Sequence, residues 1–483
     1  GDGTDTLSIS AAMTASAPLV TGIEVLSTSA TTQDYAKFTG TTLTTVNTSG
    51  TGTTFDLTNT PNDLNLYITG AAPTNVTASK AANSATDSLT VTVGRTAGGI
   101  TVTDLIVTEQ ETLTINSVGA GTNVFTNIQN TDNTSLTLTG SKALTITSSD
   151  STVLATINAS AMTAAFVLSG NDTAVASTIT GGSAGDTLTG GTAIDTINGG
   201  AGGDTIIGGG GNDILNGEAG DDDITGGAGK DTISGGEGND TIDSADGIDT
   251  LSGGAGNDTF EFMTDGDLTG GTALVTDNVD GGEGTDLIQI TTATAITPNL
   301  TSIEQVEATF TGAVALNMSN VTTLTKATVK TGSTAGASIT GLADGTVTYI
   351  GDADFATVDY AAATNATIVL TLDRSATLNV TDAANVTLMA ASSAGDDYDS
   401  VALDDVDAVS LTVTGGTAAA TDINTGNLTN TDSLATLNVT TSTNGSTATV
   451  GTLADADSLA TINLTASYGN IVVGAVGGTG TAE

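Results

Sequence analysis

Gly226-Gly227-Ala228-Gly229-Lys230-Asp231-Thr232-Ile233-Ser234 is one of nine consecutive nonads that run without a gap from Gly181 to Glu261. Their sixth position is always aspartate: Asp186, Asp195, Asp204, Asp213, Asp222, Asp231, Asp240, Asp249 and Asp258. Their eighth is always large and apolar: Leu188, Ile197, Ile206, Leu215, Ile224, Ile233, Ile242, Leu251 and Phe260. Glycine fills the first position in eight nonads, the second in seven and the fourth in seven. Among the second- and fourth-position glycines are Gly182, Gly191, Gly200, Gly202, Gly209, Gly211, Gly220, Gly227, Gly229, Gly236, Gly238, Gly254 and Gly256. A flexible Gly/Asp linker shares this composition, but nothing in a linker holds an acid and an apolar residue in phase nine times running.

Each position has a physical role. Glycine permits left-handed backbone in a tight turn, and the turn exposes its carbonyls. The sixth-position carboxylate adds a hard oxygen to them, and an all-oxygen ligand set suits Ca2+ better than a transition metal. The residues that follow form a short strand whose one apolar side chain points inward. Two nonads make one coil, which sets Asp186 above Asp204 and Asp195 above Asp213 and leaves room for about seven ions between same-side turns. The block has 16 acidic residues against Lys230 alone, so without cations it repels itself. Calcium binding is therefore expected to be coupled to folding.

The run is similar to the G-G-x-G-x-D-x-U-x repeat of the RTX family. It departs from that pattern at Ala184 and Ala193, at Glu218, and at Ser244 and Ala245. The resemblance implies a parallel β-roll, calcium loading after export, and type I secretion.

After a break at 262–280, one more nonad follows as Gly281-Gly282-Glu283-Gly284-Thr285-Asp286-Leu287-Ile288-Gln289, which adds Asp286 to the candidate ligands. Gly1-Asp2-Gly3-Thr4-Asp5-Thr6-Leu7 repeats it, and Pro18 with Ile23-Glu24 matches Pro298 with Ile303-Glu304 at one residue's slip. A chain that opens inside such a repeat reads as a fragment or a processed product. Elsewhere apolar and Thr/Ser residues alternate, as in Leu136-Thr137-Leu138-Thr139 and Leu411-Thr412-Val413-Thr414, which is a strand pattern. Near-repeats such as Thr431–Val439 and Ala456–Leu464 predict β-solenoid flanks, with paired β-sandwiches as the rival. The expected fold is all-β: a solenoid-like segment at 1–180, a calcium-binding parallel β-roll at 181–289 with its insertion at 262–280, and a second solenoid-like segment at 290–483.

Composition removes whole classes of chemistry. The 483 residues include no cysteine, histidine or tryptophan, so disulfides, thiol nucleophiles, imidazole bases and Cys/His zinc sites are absent. The net charge of −46 opposes nucleic acid and anionic membrane surfaces, and no apolar run is long enough to span a bilayer. Acidic clusters at Asp352/Asp354, Asp396/Asp397/Asp399 and Asp404/Asp405/Asp407 fit extra cation sites or solvated corners better than a glycosidase pair. Gly229-Lys230-Asp231 lacks the Ser/Thr that a phosphate loop needs after its lysine. Tyr349, Tyr360 and Tyr398 read as core or contact residues.

The favoured reading is a non-enzymatic, calcium-dependent protein of a bacterial surface layer, extracellular and assembling with copies of itself into a sheet. Attachment to cell-surface glycan or lipopolysaccharide would use a region outside this chain. The composition and the G-G-x-G-T-D…I-E module resemble RTX-type surface-layer subunits. The alternatives are an adhesin or biofilm-matrix protein with a calcium-stiffened stalk, and the export-linked part of an RTX hydrolase.

Overall fold

A computed structural model of the chain describes isolated strands before residue 88 and after residue 350. Between them it describes residues 88–108, 112–130, 134–151, 154–170, 175–262, 277–330, 337–343 and 346–350. All described structure is strand and turn, and every described strand pairing is parallel, so the flanks are solenoid coils and not sandwiches. No helix among the described residues is long and apolar enough to cross a membrane. The chain divides into two compact units, Gly1–Thr250 and Leu251–Glu483, so the division falls inside the nonad block.

In Gly1–Thr250 successive strands alternate between two sheets. The first sheet runs from Thr6–Ile9 through Ser88–Val93, Thr112–Ser117, Ser135–Gly140, Thr156–Met162 and Thr178–Thr180 to Thr196–Ala201, Ile214–Ala219 and Thr232–Glu237. The second carries Thr101–Thr108, Asn123–Asn130, Leu144–Ser151, Phe166–Leu168, Thr187–Thr189, Thr205–Gly210, Asp223–Ala228 and Thr241–Asp246. Inward residues stack on their own kind: Leu113 faces Leu136, Ile197 faces Leu215, and Leu188 faces Ile206, all fully buried or nearly so. Such in-register apolar columns are the core of the solenoid.

The flanking coils use the same register at variable length. Ser88 pairs with Thr112 and Thr156 with Thr178, two steps of unequal length that both exceed a pair of nonads. The step tightens to the nonad value where Thr178 meets Thr196. The longer corners hold polar groups that the strands cannot pair. At one of them buried Asn123 donates to the carbonyls of Val93 and Val118 and to Ser117 Oγ, and accepts from the Ile100 N–H. Its side-chain bonding capacity is nearly filled, as a buried amide requires.

In Leu251–Glu483 the coils continue through Thr259–Phe262, Leu287–Thr292, Gln305–Phe310 and Lys326–Val329. The near-repeat of Leu434–Val439 in Leu459–Leu464 is one coil, since Leu437 pairs with Ile462 and Val439 with Leu464. The insertion is shorter than 262–280. Phe262 is buried at the end of its strand, and the ladder has resumed by Asn278–Glu283, with Val279 fully buried.

Leu215 lies between Ile197 and Ile233 in the apolar column. Leu215→Ala is expected to destabilise the calcium-saturated chain by about 2–5 kcal/mol, read as a lower midpoint in chemical denaturation.

Candidate metal centre

In Gly1–Thr250 the sixth-position aspartates form two buried ladders, one on each side of the coil, held by one repeated hydrogen bond. The Asp186 N–H donates to Asp204 Oδ1 at 2.7 Å, and Asp195 to Asp213 at 2.7 Å, Asp204 to Asp222 at 2.7 Å and Asp213 to Asp231 at 2.8 Å. Asp222 donates to Asp240 at 2.9 Å and Asp231 to Asp249 at 2.7 Å. The compact unit beyond Leu251 repeats the bond from Asp258 to Asp286 at 2.8 Å. Each step spans 18 residues except the last, which spans 28 because ten extra residues lie within the insertion. All these aspartates are at most 3% exposed.

One carboxylate oxygen is thus committed to register. The other, Oδ2, accepts no hydrogen bond at Asp204, Asp213, Asp222, Asp231 or Asp286, although it is buried. It points toward the first-position glycine of its own nonad: a Cβ on Gly199 would collide with Asp204 Oδ2, and one on Gly217 with Asp222 Oδ2. A buried carboxylate oxygen without a donor is costly unless a cation meets it. Burial is the chief reason that Asp204, Asp213, Asp222, Asp231, Asp240 and Asp286 are pushed up to about 6. Their backbone hydrogen bonds pull the other way, and neighbouring carboxylates push several of them further up. Asp186 and Asp249 are raised for the same first reason.

The turns complete the candidate ligand set. Gly200, Gly209, Gly227, Gly236, Gly254 and Gly282 at the second position are left-handed, as are Gly202, Gly211, Gly220, Gly229, Gly238, Gly256 and Gly284 at the fourth. Glu218 and Ala245 adopt the same conformation at second positions, with φ of 76° and 59°. The backbones stack so closely that a Cβ on Gly229 would strike the Gly211 carbonyl oxygen. Among the described residues no three acidic side chains converge on one point. An ion here would take one or two Asp Oδ2 atoms and otherwise backbone carbonyl oxygen, a hard donor set that fits Ca2+.

The first two nonads differ. Gly182 and Gly191 are not left-handed, and their N–H groups donate to Asp186 Oδ2 and Asp195 Oδ2, so both oxygens of each carboxylate are engaged. Their fourth positions are Ala184 and Ala193, which resist the left-handed turn that the later nonads use. Asp186 and Asp195 nonetheless join the ladders, accepting from the Phe166 and Ser177 N–H groups at 2.7 Å each.

Two residues escape the motif. Asp277 is fully buried nine residues before Asp286, with buried Val279 two residues on, so 277–280 repeats the second half of a nonad. The D-x-V-x spacing was its only signal. Glu304 closes the ladder in the second unit: its Oε2 accepts the Asp286 N–H at 2.9 Å, 18 residues away. The corner before Glu304 is three residues shorter than the one before Asp286, and the longer glutamate side chain makes up the reach. Ser302, at φ 51°, brings its carbonyl against Gly281 in place of a first-position glycine. The side chains of the acidic clusters at 352–354, 396–399 and 404–407, and of Tyr349, Tyr360 and Tyr398, lie outside the described residues.

Residues 180–215, 207–242, 216–251 and 234–267 each match the family model of the RTX calcium-binding nonapeptide repeat. No curated protein and no solved structure matches the chain. The chain therefore carries RTX calcium-binding repeats, a class that binds Ca2+ and is typically found in secreted proteins. In the second compact unit Asp286 and Glu304 carry the ladder from Asp258 past the matched segment.

Gly229→Ala is expected to lower calcium affinity and stoichiometry in a calorimetric titration. Gly210→Ala should be silent, because a Cβ there meets nothing nearer than Thr192 Cα at 3.8 Å. A second expectation concerns pH. Aspartates raised to about 6 from 3.8 bind more protons folded than unfolded. Their contribution to the calcium-free fold is full below pH 3.8 and is lost as pH rises through about 6. With chelator present, circular dichroism should show strand structure gained between pH 7.5 and pH 5, while calcium affinity falls over the same range.

Proposed function

We propose that this chain is a secreted, non-enzymatic structural protein of a bacterial surface layer that folds on extracellular calcium and then assembles with copies of itself. The observation that carries the calcium dependence is the pair of buried ladders in which one carboxylate oxygen fixes coil register while, at Asp204, Asp213, Asp222 and Asp231, the other lacks a donor. Ions at Asp204, Asp213, Asp222 and Asp231, and separately at Asp286, with carbonyls of their own turns, would supply the missing positive charge and make the coils rigid. About seven ions fill the nonad turns. Cell-surface placement and assembly rest on the resemblance of the composition and of the repeated G-G-x-G-T-D…I-E module to RTX-type surface-layer subunits. Neutralising part of the −46 charge would let like-charged subunits approach. Attachment to glycan or lipopolysaccharide is assigned to a region outside this chain.

The second reading, an adhesin or matrix protein, is favoured by the same ladders, since a calcium-rigid solenoid also serves as a stalk. Electron microscopy of the purified chain, with calcium on the order of millimolar and again with excess chelator, separates the two. Ordered sheets or tubes that form with calcium and dissolve on chelation are expected. Isolated rods in calcium would favour the stalk, and sheets that persist in chelator would overturn calcium-dependent assembly.

A further inference from the structure

In the compact unit Gly1–Thr250, the outward positions of the first sheet make two ranks that carry no charge over eight successive rungs. One rank stacks Ser88, Thr112, Ser135 and Thr156 and continues in register to Thr232. The other stacks Thr90, Thr114, Thr137 and Asn158 and continues to Ser234. Of these sixteen positions twelve are Thr or Ser, three are Asn and one is Ile214, which is 45% exposed. All are at least partly open to solvent, and their inward neighbours fill the core.

The second sheet of the same unit is different: Asp104, Asp223 and Asp243 stand on its outward side. Like charge also borders the first face, where Glu218 and Glu237 lie at the turn ends of its strands. The charge-free area is thus a bounded strip. Seven rung steps of about 4.8 Å make it about 34 Å long, with the two ranks about 6.7 Å apart.

Two copies of a chain at −46 repel one another, and contact is least opposed where neither brings a charge. The strip offers such contact. Its threonines are stiff at χ1 and lose little freedom on burial, their methyls supply apolar area, and their hydroxyls can pair across an interface. A regular parallel ladder presents them as a nearly planar array, with Ile214 as an apolar contact point. We propose that this uncharged Thr/Ser/Asn strip is the surface through which one copy of the chain meets the same strip of a second copy. The inference rests on the self-assembly reading and names the surface that performs it.

The strip is tested by placing charge on it. Thr114→Asp with Thr137→Asp, and separately the single change Ile214→Glu, are compared with wild type and with Thr225→Asp on the second sheet. Each is first checked for calcium-induced strand structure by circular dichroism, then followed by sedimentation in calcium. Wild type and Thr225→Asp are expected to assemble, while the two strip variants fold with calcium and sediment as single chains. The cysteine-free sequence allows an independent readout: Thr114→Cys, Thr137→Cys and Thr180→Cys, each alone, should give disulfide-linked dimers on oxidation in calcium, and Thr225→Cys should not. Assembly of the strip variants at wild-type level, with no dimer from any strip cysteine, would overturn this surface and leave the assembly reading intact. A wild-type chain that stays single in calcium would overturn both. Binding of the single chain to an insoluble polysaccharide, lost in the strip variants, would give the strip to another occupant and likewise overturn the proposal.

Discussion

The hydrogen bond from each sixth-position N–H to the carboxylate one coil further on is the constraint from which the rest of the metal centre follows. It is charge-assisted, buried and repeated, and at Asp204, Asp213, Asp222 and Asp231 it fixes which oxygen remains for a ligand. Register and metal binding are therefore the same geometric fact seen from two oxygens. A sheet pairing that slipped by one residue would turn every apolar side chain outward and would also remove every carboxylate from its donor. The ladders also set the electrostatic problem of the calcium-free chain, because burial resists ionisation at groups that neutral pH would ionise. A protein built this way keeps its most ordered region conditional on the surrounding medium.

The nonad phase was legible because two unlike requirements, an acid and an apolar residue, recur at one period. That periodicity alone predicts the coil of two nonads, the stacking of Asp186 on Asp204 and the inward column of Leu188 and Ile206, all of which the registers reproduce. The flanks were harder to read because their corners differ in length. The step from Ser88 to Thr112 does not equal the step from Thr156 to Thr178, and that inequality hides the common register that the strands share. Asp277 was missed because a glycine-poor stretch precedes it, and Glu304 because the ladder tolerates a glutamate where the backbone takes a shorter path. In both places a different residue met the same geometric need, and a motif defined by residue type does not register that.

Departures from the glycine pattern have graded consequences. Glu218 and Ala245 hold the left-handed turn without being glycine, a local strain that the stacked neighbours on either side sustain. Ala184 and Ala193 stand at fourth positions, and there the turn takes another form in which Gly182 and Gly191 hand their N–H groups to Asp186 and Asp195. The start of the block thus satisfies its carboxylates with protein donors, whereas Asp204, Asp213, Asp222 and Asp231 each keep one oxygen without a donor. The entry into the roll is self-sufficient and its middle is not.

The ladders also have a direction. Each donor is served by a carboxylate that lies later in the chain, and in the second unit Glu304 serves Asp286. Within these ladders, removing coils from the front strands carboxylate oxygens, which water can solvate at the new surface. Removing them from the back strands N–H groups that had been supplied from beyond the cut. Glu304 is in this sense a change of rule, the point at which the second unit gives up carboxylate rungs and goes on stacking coils by backbone pairing alone.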